Sequence, residues 1–174
     1  SNYDLNPLKF LDKEHYFRLD QNRNFISNSG CGNDFKTESK HSRKIIIDSL
    51  IYWMEEYHID GFRFDLASLI DWETIDYIQS ELRKVNPNVF LIAEPWSPVN
   101  YQPNEFGNRA WVAWNDKFRN GIKGVEPIHK LGFIFGHLND LSNRDSVNNY
   151  LIGCKYSDKI ITKRPLLKIF SIRK

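Results

Sequence analysis

Ile59-Asp60-Gly61-Phe62-Arg63-Phe64-Asp65 and Val89-Phe90-Leu91-Ile92-Ala93-Glu94 are the two stretches that decide the fold. Each is a short apolar run that closes on a carboxylate, and a helical segment lies between them. From Trp72 to Val85, the residues Ile75, Ile78, Leu82 and Val85 recur on one helical face. Asp71 suits the N-cap of that helix, and Asn86-Pro87 ends it. A second helix precedes the first strand, with Ile46, Leu50, Trp53, Met54 and Tyr57 on one face between Arg43 and Tyr57. Helix, strand, helix, strand with short connections is the grammar of an α/β protein with a parallel sheet.

A parallel strand–helix–strand unit places both strand C-termini at one end of the sheet. Asp65 and Glu94 therefore share a rim, and two carboxylates on a rim are what glycoside cleavage uses. Along the first strand Gly61, Arg63 and Asp65 point one way and Phe62 and Phe64 the other. With helices on either side, both faces are expected to be covered. A charged face inside such a unit is costly unless it is paired or opens into a polar mouth. Arg63, two residues before Asp65, supplies the pair and keeps the carboxylate ionised. A purely structural Arg–Asp salt bridge fits the same spacing.

Asp60-Gly61-Phe62-Arg63-Phe64-Asp65-Leu66-Ala67 resembles the nucleophile motif of the α-amylase superfamily of glycoside hydrolases, and Ala93-Glu94-Pro95-Trp96 resembles its acid/base motif. Tyr16-Phe17-Arg18-Leu19-Asp20 with Ser29-Gly30-Cys31-Gly32-Asn33-Asp34 is similar to a segment of the debranching branch: pullulanases, isoamylases and glycogen debranching enzymes. Trp114-Asn115-Asp116-Lys117-Phe118-Arg119 is similar to the same branch. The resemblance runs from about Tyr16 to Gly153, with four motifs in the family's order. It implies a (β/α)8 barrel, a retaining mechanism and an α-glucan substrate. Asp65 corresponds to the nucleophile, Glu94 to the general acid/base, and Arg63 to the arginine that orients the nucleophile. A nucleophile must be charged and an acid must start protonated. Glu94 is therefore expected in the less compensated setting, with Pro95-Trp96 as an apolar wall.

Two parts of that family pattern have no counterpart: an Asp-rich strand ending in Asn-His upstream of Tyr16, and a His-Asp pair downstream of Gly153 that supplies the third catalytic carboxylate. A complete barrel of this type takes about 250 residues, and the chain has 174. The expectation is an internal piece of the barrel over 1–153, around strands four to six, lacking the first and last strands. Residues 154–174 form a basic C-terminal tail. Between Lys155 and Lys174 stand seven Lys/Arg and one Asp, a balance of +6, which leaves −4 for the rest of a chain of net charge +2. A solvated tail, a nucleic-acid or membrane contact, and a tail not native to the fold are the three readings of that run; the first is preferred, and no nucleic-acid or membrane partner is expected. No signal peptide or transmembrane run is visible, and the expected location is cytoplasmic.

Cys31 and Cys154 are far apart and form no metal-ligand spacing. Cys31 is read as a small buried side chain, and Ser29-Gly30-Cys31-Gly32 as a turn. His15, His41, His58, His129 and His137 form no cluster, and His58 reads as structural. No metal or other cofactor is expected. After Glu94, the residues Pro95, Pro98, Asn100, Pro103, Asn104, Gly107 and Asn108 predict a long loop. Loops at strand C-termini build barrel sites, so Trp96 is the preferred sugar-contacting ring, with Tyr101 and Trp111 as weaker candidates and Phe106 in the same loop. Asn115 and Asp116 fit either the same mouth or a cap on the following helix. Asp145 to Ile152 reads as a short helix stopped by Gly153. The leading function is hydrolysis of α-1,6 branch linkages in glycogen, starch or pullulan. An α-1,4-acting amylase or glucanotransferase, and an inactive fragment or glucan-binding remnant, are the alternatives.

Overall fold

The structure, a computed structural model, describes residues 6–98, 100–101, 103–125 and 130–131. The chain forms two compact units, Ser1–Trp114 and Asn115–Lys174. The second unit holds helix α5 (Asp116–Lys123) and the antiparallel pair β6 (Gly124–Val125) and β7 (Lys130–Leu131). The carbonyl of Asn115 accepts the Arg119 N–H at 3.1 Å, which places Asn115 at the head of α5. His129, His137, the helix expected at 145–152, Cys154 and the basic tail lie outside the described residues.

The first unit opens with α1 (Pro7–Tyr16) and then runs through the glycine segment to α2 (Lys40–Tyr57). Strand β1 (Gly61–Phe64), a 3-10 turn (Ala67–Leu69), α3 (Trp72–Val85) and β2 (Phe90–Ala93) follow. β2 lies between β1 and β5 (Val112–Ala113) in a three-stranded sheet whose pairs are both parallel. The expected α/β grammar is present. Both main strands are shorter than the apolar runs that predicted them, so Asp65 and Glu94 sit just past the strand ends. Phe64 pairs with Ala93, which makes Asp65 and Glu94 the next residues on adjacent strands.

α3 begins where the sequence placed it. The Asp71 carboxylate accepts the Thr74 N–H at 2.9 Å, closing one of the orphan donors of the first turn. Ile75, Ile78 and Leu82 are fully buried, each contributing about 1.5–3 kcal/mol through removal of apolar surface from water. Val85, on the same stripe, is exposed because it occupies the last turn.

The stripe on α2 is rotated from the one expected. Ile47 and Met54 are buried and Ile46, Leu50 and Ile51 pack against them, whereas Trp53 and Tyr57 are exposed. Steps of 100° put 47 and 54 at the centre of the buried stripe and 53 and 57 toward its flank. There the two rings associate with each other and with Tyr52.

Gly61 is fixed by close approach. A Cβ there would lie 2.7 Å from the Cβ of Phe90, inside contact distance, so only hydrogen lets β2 pair this tightly. The expectation of two covered faces is corrected on the Arg63 side, where that side chain is 34% exposed. The segment after Glu94 is not a loop throughout. It forms the antiparallel pair β3 (Trp96–Ser97) and β4 (Asn100–Tyr101), then α4 (Pro103–Asn108). Pro103 is tolerated as the first helical residue because its missing N–H has no partner to lose there. Phe106 anchors α4, fully buried, and Trp111 is also buried against Phe64 and Phe106. Both belong to the core, which removes Trp111 as a sugar-contacting candidate.

The glycine segment is a turn, as expected. Asp34, buried, accepts the N–H groups of Asn28 at 2.8 Å and Ser29 at 3.1 Å. Gly30 has φ 71° and Gly32 φ 117°, a region costly for other residues. Cys31 stands at the exposed tip, not in the core, because a turn this tight points its middle residues outward. His58 closes α2 in a left-handed conformation, with its N–H donated to the Trp53 carbonyl, a structural role.

A polar network ties this segment to the head of α3. Arg18 forks onto Glu38, with Nη2 to Oε2 at 2.8 Å. The Thr37 carbonyl accepts the Thr74 hydroxyl at 2.9 Å, and Arg43 donates to Thr74 at 2.8 Å and pairs with Glu73 at 2.6 Å. Burial alone would raise the pKa of Asp71; hydrogen bonds from Thr37 and Thr74, with the charge of Arg43, outweigh it and hold the carboxyl below its ordinary value. Glu38 is lowered in the same way: burial opposes, and the Arg18 fork prevails.

Candidate active site

Three adjacent strand ends build one rim. β1 delivers Arg63 and, one residue past its end, Asp65; β2 delivers Glu94; β5 delivers Trp114. Main-chain bonds continue the ladder past the strands: the Glu94 N–H donates to Phe64 at 3.0 Å, and the Trp114 N–H to Ala93 at 3.0 Å. The side chains are thus carried on hydrogen-bonded backbone.

Arg63 reaches both carboxylates. One guanidinium NH2 meets Asp65, and the other pairs with Glu94 Oε1 at 3.0 Å. The second Glu94 oxygen accepts the Leu66 N–H at 2.8 Å. Leu66 has φ 44° and ψ 41°, a left-handed conformation that is uncommon for a bulky residue and costs energy to hold. That twist turns its N–H toward Glu94, and the next N–H, of Ala67, donates to the Glu94 carbonyl at 2.9 Å.

The two carboxylates occupy different surroundings, though not in the expected sense. The Asp65 side chain is 73% exposed, and that of Glu94 only 14%. Glu94 is the more compensated of the two, since both its oxygens have partners. The difference arises from the Leu66 turn, for which the sequence carries no signal. Trp96 lies in β3 at the expected place beside Glu94 and packs against Trp114, ring centroids 5.9 Å apart and tilted by 57°. Trp114 in turn lies under the Arg63 guanidinium, 4.2 Å from ring centroid to the central carbon. Sequence reasoning placed Trp114 in a motif without a role; its position directly after a third parallel strand was the available signal. The side chain of Tyr101 lies outside the described residues, and Asn115 and Asp116 belong to the second unit.

A cavity of about 480 Å³ lies away from this rim, lined by Phe17, Arg18, Arg23, Lys36 and Glu38 among others. Four of its charged groups are engaged with one another, Arg18 with Glu38 and Arg23 with Glu14. The rim, with its paired carboxylates, is the site with chemistry.

No family model matches the chain. Individual relatives do. The chain is 41% identical over 120 residues to a glycogen operon protein GlgX homolog of Haemophilus influenzae, covering 64% of this chain and 18% of that protein. It is 34% identical over 166 residues to the chloroplastic isoamylase 3 of Oryza sativa subsp. japonica, covering 73% and 21%. The crystal structure of pullulanase type I from Bacillus subtilis, complexed with maltose, superposes with a TM-score of 0.75 at 29% identity, covering 90% of this chain and 23% of that one. Over this stretch the chain is homologous to debranching enzymes of the α-amylase family.

The homology to these debranching glycosidases accounts for the parallel α/β unit, which matches part of a pullulanase structure. The chain spans about a fifth of the length of the debranching enzymes it matches. Among the described residues, no helix is long and apolar enough to cross a membrane.

Proposed function

We propose that this chain is the segment of a retaining α-glucan hydrolase that carries its nucleophile and its acid/base, within a (β/α)8 barrel around strands four to six. The observation that carries the reading is a single arginine, Arg63, bridging two carboxylates at the ends of adjacent parallel strands. In this reading Asp65, exposed and beside a cation, attacks the anomeric carbon while Glu94 acts in its protonated form, keeping Arg63 and the Leu66 N–H as neighbours of its lone pairs, and gives its proton to the departing glycosidic oxygen. A covalent glycosyl-enzyme forms, and Glu94 then takes a proton from the water that releases the sugar. Arg63 keeps Asp65 charged and sets the positions of both groups. The stabilising third carboxylate comes from outside the chain. Trp96 offers a ring face for a glucose unit.

The substrate class is a branched α-glucan, and the bond cut is the α-1,6 linkage of glycogen, starch or pullulan. The relatives named above support that choice, and the glycine segment and Trp114–Arg119 motif agree with it. The test uses the intact protein that contains this segment. Incubation with pullulan should release reducing ends and linear α-1,4-glucans, and Asp65→Ala or Glu94→Ala should abolish the release. An enzyme that cuts only α-1,4 bonds would overturn the branch-point assignment. Full activity in either variant would overturn the residue roles.

A further inference from the structure

Arg63 has a geometric problem to solve. Its side chain is long, about a third exposed, and flanked by two carboxylates, one of them largely open to water. A guanidinium in that setting has several rotamers that satisfy Asp65 alone. Only an orientation in which its plane points one NH2 at Asp65 and the other at Glu94 serves both groups. The closest approach of each carboxylate is to a different NH2, and neither approach by itself fixes the tilt of the guanidinium plane. What fixes a planar cation against rotation out of plane is a flat surface beneath it.

Trp114 supplies that surface. The indole centroid lies 4.2 Å from the guanidinium carbon, within cation–π range, and stacking suits a delocalised cation. The platform is itself held. Its backbone is hydrogen-bonded to Ala93 on β2, and its ring packs on Trp96. We propose that Trp114 is a positioning residue: it orients Arg63 so that one guanidinium spans the two carboxylates. Trp114 acts through Arg63 and needs no contact with sugar. The kinetic part of this inference rests on the catalytic reading of Asp65 and Glu94; the orientation of Arg63 does not.

The experiment uses the intact protein with three substitutions, Trp114→Leu, Trp114→Met and Trp114→Phe, and two readouts. The first is the structure and the guanidinium NMR signals of Arg63. Leucine should release the guanidinium from Glu94 and remove the ring-current shift of its carbon, while phenylalanine should keep both the bridge and a shift. The second is steady-state hydrolysis of pullulan. Leucine should lower kcat about tenfold and leave KM within about twofold, and phenylalanine should restore most of the loss. Methionine replaces leucine in both comparisons if the leucine variant does not fold. Arg63 spanning both carboxylates in the leucine or methionine variant would overturn the proposal. So would a rise in KM at unchanged kcat, which is the signature of a sugar-stacking platform. If the parent protein is inactive on pullulan, the functional reading fails by itself, and the Arg63 readout still decides the positioning role.

Discussion

Replacing Arg63 by lysine keeps the positive charge and removes the planar fork, which isolates what the bridging geometry does. Two ion pairs are at stake, and they are unequal. Asp65 is 73% exposed, so its pairing is largely screened by water and is worth about 0–1 kcal/mol. Glu94 is 14% exposed and pairs at 3.0 Å, so that ion pair is screened less, and breaking it costs an amount between that of a surface pair and a buried one, about 1–3 kcal/mol. A lysine ammonium has no planar fork to span both carboxylates and favours one of them. Asp65, the more exposed of the two, is the easier to reach, which leaves the Glu94 pair broken. If that ion pair holds the acid/base in its productive place, kcat on pullulan should fall by about 10- to 100-fold, with KM within about twofold. Reducing-end release at saturating pullulan reads kcat, and a parallel thermal melt checks that the variant is folded. A folded lysine variant whose kcat stays within about twofold would refute the reasoning and leave Arg63 a structural salt bridge.

Gly61→Ala should destabilise the protein by about 1–3 kcal/mol, since the new Cβ meets Phe90 at 2.7 Å; a shift in the urea midpoint at constant slope measures it. Ile78→Ala should cost about 2–5 kcal/mol by opening a cavity under α3, read in the same assay. Asp71 has a carboxyl pKa held below 3.8, so its contribution to stability is complete above that ordinary value and is lost as pH falls through the lowered one. Urea midpoints between pH 7 and pH 3 should therefore drop in the acidic part of the range, and Asp71→Asn should flatten that drop; an equally steep drop in the variant would show that other carboxylates cause it. The 174-residue chain by itself should aggregate and show no activity on pullulan or glycogen, because Phe90, Val112 and the aromatic flank of α2 are exposed; light scattering and a reducing-end assay test this directly.

The sequence was most legible where one local rule acted without competition. α3 was readable end to end, because Asp71 caps it, Asn86-Pro87 stops it, and Ile75, Ile78 and Leu82 keep the helical period. The rim was readable because two apolar runs each ended on a carboxylate, and parallel pairing follows from a helix between them. Legibility failed where tertiary packing chose between local options. On α2, aromatic and aliphatic residues both fit a stripe, and the sheet selected the aliphatic one. After Glu94, proline and glycine predicted a loop, yet burial of Phe106 was enough to fold a short helix around them. Trp111 and Trp96 look alike in sequence; one fills the core beside Phe64, and the other lies at the rim beside Trp114. Helix α1 is interrupted by an extended residue at Asp12 and has no buried residue, so no continuous face marks it in the sequence.

Leu66 gives Glu94 a partner that belongs to the main chain. An amide proton is common to every residue but proline, so no ordinary side-chain replacement at position 66 deletes the donor. Alanine scanning across this segment would register Arg63 and pass over the other half of what grips Glu94. Two kinds of change could reveal it. One alters the chain itself, such as an amide-to-ester exchange at residue 66. The other works against the twist: Leu66→Val keeps the donor but drives the backbone out of the left-handed region, which β-branched residues tolerate least, so the grip becomes a matter of time spent in one conformation. A valine variant that is folded yet slower would locate part of the site's precision in a dihedral angle, where an inventory of side chains would never place it.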